Sequence, residues 1–427
     1  QSDDDLAKLE NAKPAAPPQP QPAPSEQQKA AQAFNYKKTK MLFDEVAAVL
    51  IDSGFGVDGG TIRVMGANLP PVAPGTPPVQ GLRVSSKNAP ATIPQLVAEV
   101  EQYNRLVRLI KQGLPVKMTV DLQVQWYDDD LQGYNTIAEI PGTDLKDEIV
   151  MVGAHLDSWH AGTGATDNGA GSTVVMEAMR ILAASGLKPR RTIRIALWTG
   201  EEQGLLGSRG YVAKNLGTIG DGSDAAVFGA LQGQKQPITK KPAHDKFAAY
   251  YNLDNGTGQI RGIYLQGNEQ LRSTFKDWLT PYKDWNATTV TISDTSGTDH
   301  LPFVALGLPG FQFIQDPIEY FTRSWHTTQD VSDRILEEDL KRSAVIMATF
   351  AYNSAMSDQK LARKDSPSAL NASLLPGFDF RSELDEINFR NSGLGFAICG
   401  HEVSGSEIPA SFPSMFAVTG RHSHEAE

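Results

Sequence analysis

Between about residues 134 and 357 the chain alternates compact apolar runs with stretches of helical spacing, and no other feature limits its fold as tightly. EIVMVGAHL (148–156) is a near-continuous apolar run, the pattern of a strand covered on both faces. GAGSTVVMEAMRILAAS (169–185) follows as a mostly buried helix, TIRIALWTG (192–200) as the next strand and GLLGSRGYVAKNL (204–216) as a second helix. KFAAYYNLD (246–254) and PGFQFIQ (309–315) read as further strands. EEDLKRSAVIMATFAYNSAM (337–356) closes the unit as a helix, with acids in its first turn and Leu340, Ala344, Met347 and Ala351 on one face. Alternating β and α elements predict an α/β fold with a largely parallel sheet flanked by helices. Sheets of that kind bind ligands beyond the carboxyl ends of their strands.

Five metal-friendly side chains occupy the polar breaks of this pattern. They are His155 in HLD, Asp167 in TDNGAG, Glu202 in TGEEQG, Asp254 in NLDNG and His326 in WHTTQD. Two imidazoles and three carboxylates make an N/O donor set without sulfur, suited to zinc or a similar divalent ion. Five donors exceed what one catalytic zinc takes, since such a site uses three and keeps a position open. Two ions sharing one carboxylate would use all five, which implies a two-metal hydrolase. His155, Glu202 and Asp254 also fall at predicted strand ends, so donor set and topology agree independently.

Taken one at a time, each residue has a plainer reading. HLD could be a loop hydrogen-bond pair, and Glu201–Glu202 a solvated helix start. Asp167 with Asn168 and Gly169 could be a turn or N-cap, Asp254 in Asp-Asn-Gly another turn, and His326 a strand cap. Order and spacing together favour donors.

The flanks say less. Residues 1–40 centre on AKPAAPPQPQPAPSEQQ (12–28), which reads as a linker or surface segment. Residues 41–128 predict a small accessory unit: apolar runs VAAVLIDSG (46–54) and TIRVMG (61–66), a helix within 95–113 ending at Gly113, and a strand over 116–127. The catalytic unit is expected over 129–358, and residues 359–427 form a tail without periodicity. A formal net charge of −11 argues against nucleic acid or an anionic membrane as partner. No apolar run reaches membrane-spanning length. The single cysteine, Cys399, excludes an internal disulfide and a thiolate zinc cluster.

HLDSW, GATDNGAGSTVVMEAMRIL, RTIRIALWTGEEQGLLGS and GTDHLPFVALGLPGFQFIQ followed by WHTTQD together resemble the co-catalytic di-zinc exopeptidases of the aminopeptidase and glutamate carboxypeptidase type. The likeness points to bacterial relatives of the plasma glutamate carboxypeptidase (carboxypeptidase Q) branch. It covers about 35–357, most strongly 148–210 and 297–331. What it implies is a three-layer α/β/α domain with a largely parallel mixed sheet, preceded by a protease-associated accessory domain that is here incomplete. It further implies two zinc ions per chain, a peptide substrate and a secreted or periplasmic location, and it leaves a homodimer open.

Carried over by position, the resemblance puts His155, Asp167 and Asp254 on one zinc. Glu202, His326 and the same Asp167 hold the other. Glu201 becomes the general base and acid, and Asp157 the partner that orients the His155 ring. A cis peptide is expected after Asp167. Substrate-binding roles for His300 and Tyr320 are open, and Asp330 is a candidate support for the His326 loop. Two rivals share this family likeness: a glutaminyl-cyclase-like transferase with one zinc, and an inactive receptor-like relative, which should have lost donors or the base.

Overall fold

The structure is a computed structural model that describes residues 1–14, 24–54, 56–64, 66–76, 82–84, 86, 88–125, 127, 129–231 and 234–364. Its first part holds α1 (Asp3–Glu10), α2 (Glu26–Asp44), β1 (Leu50–Ser53), β2 (Gln95–Ala98) and α3 (Val100–Lys111). Within the segment expected as a linker, Ser2 and Asp5 cap α1 reciprocally, and the helix buries Leu6. Glu10 at its far end accepts the backbone N–H of Val290 at 2.8 Å, tying the helix to the catalytic unit. The proline-rich residues 15–23 lie outside the described residues.

β1 and β2 pair in parallel from Leu50–Gln95 to Ser53–Ala98, and α3 follows directly. The strand expected over 116–127 does not form among the described residues. An alternating pattern becomes a strand only where a neighbour takes its hydrogen bonds, and none pairs with it among the described residues.

The catalytic unit continues with β3 (Thr136–Ile140), β4 (Leu145–His155), α4 (Ala170–Ala184), β5 (Arg191–Trp198), α5 (Leu206–Asn215), β6 (Gly217–Ile219), α6 (Asp224–Leu231) and β7 (Ile238–Lys240). Then come β8 (Phe247–Asn252), β9 (Ile260–Tyr264), α7 (Arg272–Leu279), β10 (Thr289–Thr291), α8 (Leu301–Ala305), β11 (Gly310–Gln315) and α9 (Glu337–Met356). Seven strands form one sheet in the order β10-β9-β11-β8-β4-β5-β3. Its centre, β11-β8-β4-β5, is parallel; β3 runs against β5, and β9 against β11.

Both faces of the sheet are covered, as the apolar runs predicted. Successive side chains of a strand point to opposite faces. Val150, Val152 and Ala154 of β4 therefore join a core with Val174, Val175, Ile346 and Phe350 of α4 and α9. Met151 joins the opposite core, with Trp198, Tyr211, Val212 and Phe303. The layers are helix, sheet, helix. Within the segment expected as a tail, Leu361 packs into the first core and Arg363 donates to the His244 carbonyl at 2.8 Å. Residues 365–427 lie outside the described part. Among the described residues no helix is long and apolar enough to cross a membrane.

Candidate metal centre

β4 and β5 end side by side, with His155 opposite Trp198, and β8 ends next to them two residues before Asp254. This registry delivers three donors to one edge of the sheet. The fourth, Asp167, comes from the segment leading into α4. Asn168 Nδ2 donates to the Leu253 carbonyl at 2.9 Å, and Ser172 Oγ to the His155 carbonyl at 2.8 Å. The start of α4 is thereby fastened to the ends of β8 and β4. A Cβ on Gly171 would collide with Asn168 Oδ1 and the Leu253 carbonyl, so glycine is what lets the helix come this close. The Asp167–Asn168 peptide is cis.

The side chains meet in two groups around Asp167. Its Oδ1 lies 3.4 Å from His155 Nε2, which is also 3.4 Å from Asp254 Oδ1. Its Oδ2 lies 3.3 Å from His326 Nε2, which is 3.1 Å from Glu202 Oε2. Donor atoms of His155, Asp167 and Glu202 all lie within 4.8 Å of one another. The five residues singled out from the sequence therefore converge, and each oxygen of Asp167 faces a different imidazole.

A metal fits this arrangement on three counts. Two donors each ~2.0–2.1 Å from one ion at a tetrahedral angle are about 3.3 Å apart, close to the separations here. Glu202 Oε1 is buried without a hydrogen-bond partner, which is costly unless something else satisfies it. The cluster also sets four buried or nearly buried carboxylates, Asp167, Asp254, Glu201 and Glu202, against two imidazoles, a surplus of negative charge that divalent cations neutralise.

The same crowding moves the acidities. Burial opposes a proton on His155, yet Asp254, Asp157 and Asp167 outweigh it and raise its pKa well above the ordinary imidazole value. His326 loses by burial but is pushed up to about 9 by Asp167 and Glu202. Burial, with repulsion from Asp167, lifts Glu202 to about 7. Glu201 rises well above the usual carboxylate range, first through burial and then through Asp254, Asp299 and Glu202. Asp167 goes the other way, because the two imidazoles outweigh its burial.

The supporting residues sit as follows. His155 Nδ1 is 2.9 Å from the backbone carbonyl of Asp157 and 3.7 Å from its carboxylate. That carboxylate accepts the backbone N–H groups of Glu201 (3.1 Å) and Glu202 (3.2 Å). Asp330 holds the Asp167 segment, accepting from the Thr166 N–H (2.6 Å), the Thr166 hydroxyl (2.8 Å) and the Asp167 N–H (3.2 Å). Tyr320 is buried with its phenol among Asp167, Asp254 and Glu202, and burial followed by those charges drives its pKa well above 10. His300 is fully buried, its Nε2 against Gln266 (2.9 Å) and the Thr295 carbonyl (3.2 Å), and burial depresses its pKa to about 4.

Sequence reasoning left three neighbours without a role. Asp299 accepts from Ser208 Oγ at 2.5 Å and is lifted by burial to about 7. Trp159 and Trp325 flank the His326 ring, with centroids 5.7 and 4.1 Å away. The GTDHLPF motif was a signal for the first. Trp325 is the sequence neighbour of His326, whereas the approach of Trp159 depends on distant loops meeting and has no signal in the sequence.

Comparison with known proteins follows the same lines. A family model described as Peptidase family M28 matches residues 135–351. Carboxypeptidase Q of Mus musculus is 28% identical over 271 residues, 64% of this chain and 52% of that protein. Leupeptin-inactivating enzyme 1 of Streptomyces exfoliatus is 32% identical over 179 residues, 42% of this chain and 34% of that protein. The crystal structure of a peptidase M28 precursor from Shewanella amazonensis SB2B shares the fold, with a TM-score of 0.56 at 23% identity over 85% of this chain and 74% of that one. The chain spans about half the length of the carboxypeptidase Q relatives it matches.

Proposed function

The chain belongs to peptidase family M28, and on that premise we propose a two-zinc exopeptidase acting on dipeptides or short peptides. The observation that carries the proposal is the division of Asp167, one oxygen toward His155 and the other toward His326. In this reading His155, Asp167 and Asp254 hold one ion, and His326, Glu202 and Asp167 the other. Two such ions supply Lewis acidity toward a carbonyl and lower the pKa of water toward neutrality.

The chain's own residues do the rest. Glu201 takes the proton of the attacking water and passes it to the leaving amine. Burial raises its pKa well above the usual carboxylate range, which makes it a better proton acceptor than an exposed glutamate. Asp157 fixes the turn that carries Glu201 and Glu202 through their N–H groups. The protonated Tyr320 phenol presents a donor toward the carboxylate cluster, where an incoming polar group of the substrate would lie.

The proposal includes a protease-associated origin for residues 41–128, catalytic boundaries near 129 and 358, and an exported location, secreted or periplasmic; fractionation of the producing cells tests the location. Turnover on a panel of free dipeptides, N-acetylated dipeptides and simple amides tests the reaction. Hydrolysis of free dipeptides, abolished by N-acetylation, is expected of cleavage from the amino end. Equal turnover of acetylated and free substrates would overturn that assignment.

A further inference from the structure

His326 is an uncommon place to build a metal ligand. Its φ is +59°, in the left-handed region that residues other than glycine seldom occupy, and it lies in a loop rather than at a strand end. Something must hold it there. Within the catalytic unit the loop is fixed at Ser324, whose Oγ takes the Thr166 hydroxyl at 2.9 Å. Asp330 adds a second tie, its carbonyl accepting the Thr163 N–H at 2.8 Å and its carboxylate the Thr166 N–H at 2.6 Å; a further support comes from residues 58–64, far outside the 135–351 that match the family model.

That segment runs alongside the ligand loop. Arg63 and Thr327 form an antiparallel bridge, the Val64 N–H donates to the His326 carbonyl at 2.8 Å, and the Thr328 N–H donates to Ile62 at 3.0 Å. Further along, the Asp58 N–H donates to the Thr322 carbonyl at 3.1 Å, and Asp58 pairs with Arg323 at 2.7 Å. Arg63 is at the centre. It is 4% exposed, donates to the Phe321 carbonyl, and lays its guanidinium over Trp325 at 4.9 Å. Trp325 in turn lies against the His326 ring, centroids 4.1 Å apart and planes tilted by 34°. The order of contact is Arg63, Trp325, His326.

We propose that Arg63 is a positioning residue for His326, through which the accessory segment sets the geometry of one of the two metal positions. Only that position depends on it; His155 ends β4 and Asp254 follows β8 by two residues, at the sheet edge rather than in the loop that carries His326. The inference rests on the two-metal reading above.

The test measures zinc binding by competition with a chromophoric chelator in wild type, Arg63→Ala and Arg63→Lys, with melting temperatures recorded alongside. Residues that orient a ligand typically change metal affinity by ~10–100-fold. Arg63→Ala should weaken one of two zinc sites by about that factor and leave the other unchanged. Arg63→Lys keeps the buried charge but not the planar face, so it should weaken the same site by less, and it covers the case in which the alanine variant does not fold. Equal weakening of both sites with a lowered melting temperature would assign Arg63 to general stability and overturn the inference. Unchanged affinities in both variants would overturn it too, while leaving the two-metal reading intact. A wild type that takes up no second zinc ion would remove the two-metal reading and this inference with it.

Discussion

Asp157 Oδ1 accepts the backbone N–H of Glu201 at 3.1 Å, joining the end of β4 to the turn after β5. Its other oxygen takes the Glu202 N–H, and its own carbonyl faces His155 Nδ1. One residue therefore contacts the ring of a proposed metal donor and holds the turn that carries both the proposed base and a second proposed donor. Asp157→Ala removes both acceptors from that turn and should lower kcat by ~10–100-fold, the usual cost of losing an orienting partner. Asp157→Asn keeps one acceptor oxygen and should lose less. Steady-state rates with zinc content measured on each variant check this; an unchanged kcat for Asp157→Ala would remove the role.

Glu201 and Glu202 are adjacent yet should fail differently. Glu201→Gln is expected to retain both ions while kcat falls by ~10²–10⁴, the contribution of a positioned acid–base group. Glu202→Gln removes a donor beside His326 and should lose one ion, with activity partly restored by excess zinc. Metal analysis beside kinetics distinguishes them. Zinc loss in the Glu201 variant with retention in the Glu202 variant would mean the roles are reversed.

The parts of this site that were legible in sequence are those a strand pattern dictates. His155, Glu202 and Asp254 follow runs buried on both faces, so their positions at one sheet edge follow from parallel topology alone. Asp167 was legible through its motif, but what brings it in, the Asn168–Leu253 bond and the space at Gly171, links residues 85 apart in sequence. The Asp157 bonds to backbone N–H groups were hidden because any residue has an N–H to offer. Short strands such as Gly217–Ile219 and Thr289–Thr291 carry too few residues to establish a period. The strand expected over 116–127 shows the converse: a period without a partner.

Metal removal should cost stability as well as activity. Stripping the ions leaves the carboxylates of Asp167, Asp254, Glu201 and Glu202 packed against one another, and it removes the binding free energy that favours the folded state. An ion present at ~100 times its Kd contributes about 2.7 kcal/mol per site. Chelation should therefore abolish hydrolysis and lower Tm, and zinc or cobalt should restore both. Full activity in protein verified to be metal-free would end the metallopeptidase reading.

His300 provides a pH-dependent stability term with a defined sign. Burial lowers its folded pKa to about 4, below its ordinary value of 6.5, so the fold prefers the neutral ring. The unfolded chain binds more protons between those values. This contribution is fully present above about pH 6.5 and is lost as pH falls toward 4, with a slope near ~1.4 kcal/mol per unit. His300→Gln should flatten the decline. Comparing denaturation midpoints of wild type and variant at pH 7 and pH 5, both metal-free, isolates the term, since other groups titrate in both proteins. Parallel declines would exclude it.

Gly256 sets how closely Tyr320 approaches the carboxylate cluster. Its φ is +87°, and a Cβ there would lie 2.9 Å from the Tyr320 ring at Cδ2. Tyr320 cannot retreat freely, being 3% exposed and followed by the loop that carries His326. Gly256→Ala therefore combines an unfavourable backbone conformation with a ring displacement, and should destabilise by roughly 1–3 kcal/mol. Because the phenol would leave the carboxylates, kcat/KM should fall further than in Tyr320→Phe, which removes only the hydroxyl and keeps the ring in place. Urea denaturation and dipeptide kinetics on the two variants separate the effects. If Gly256→Ala matched wild type in both, the Tyr320 ring would have room to move, and its position would not be set by the missing side chain.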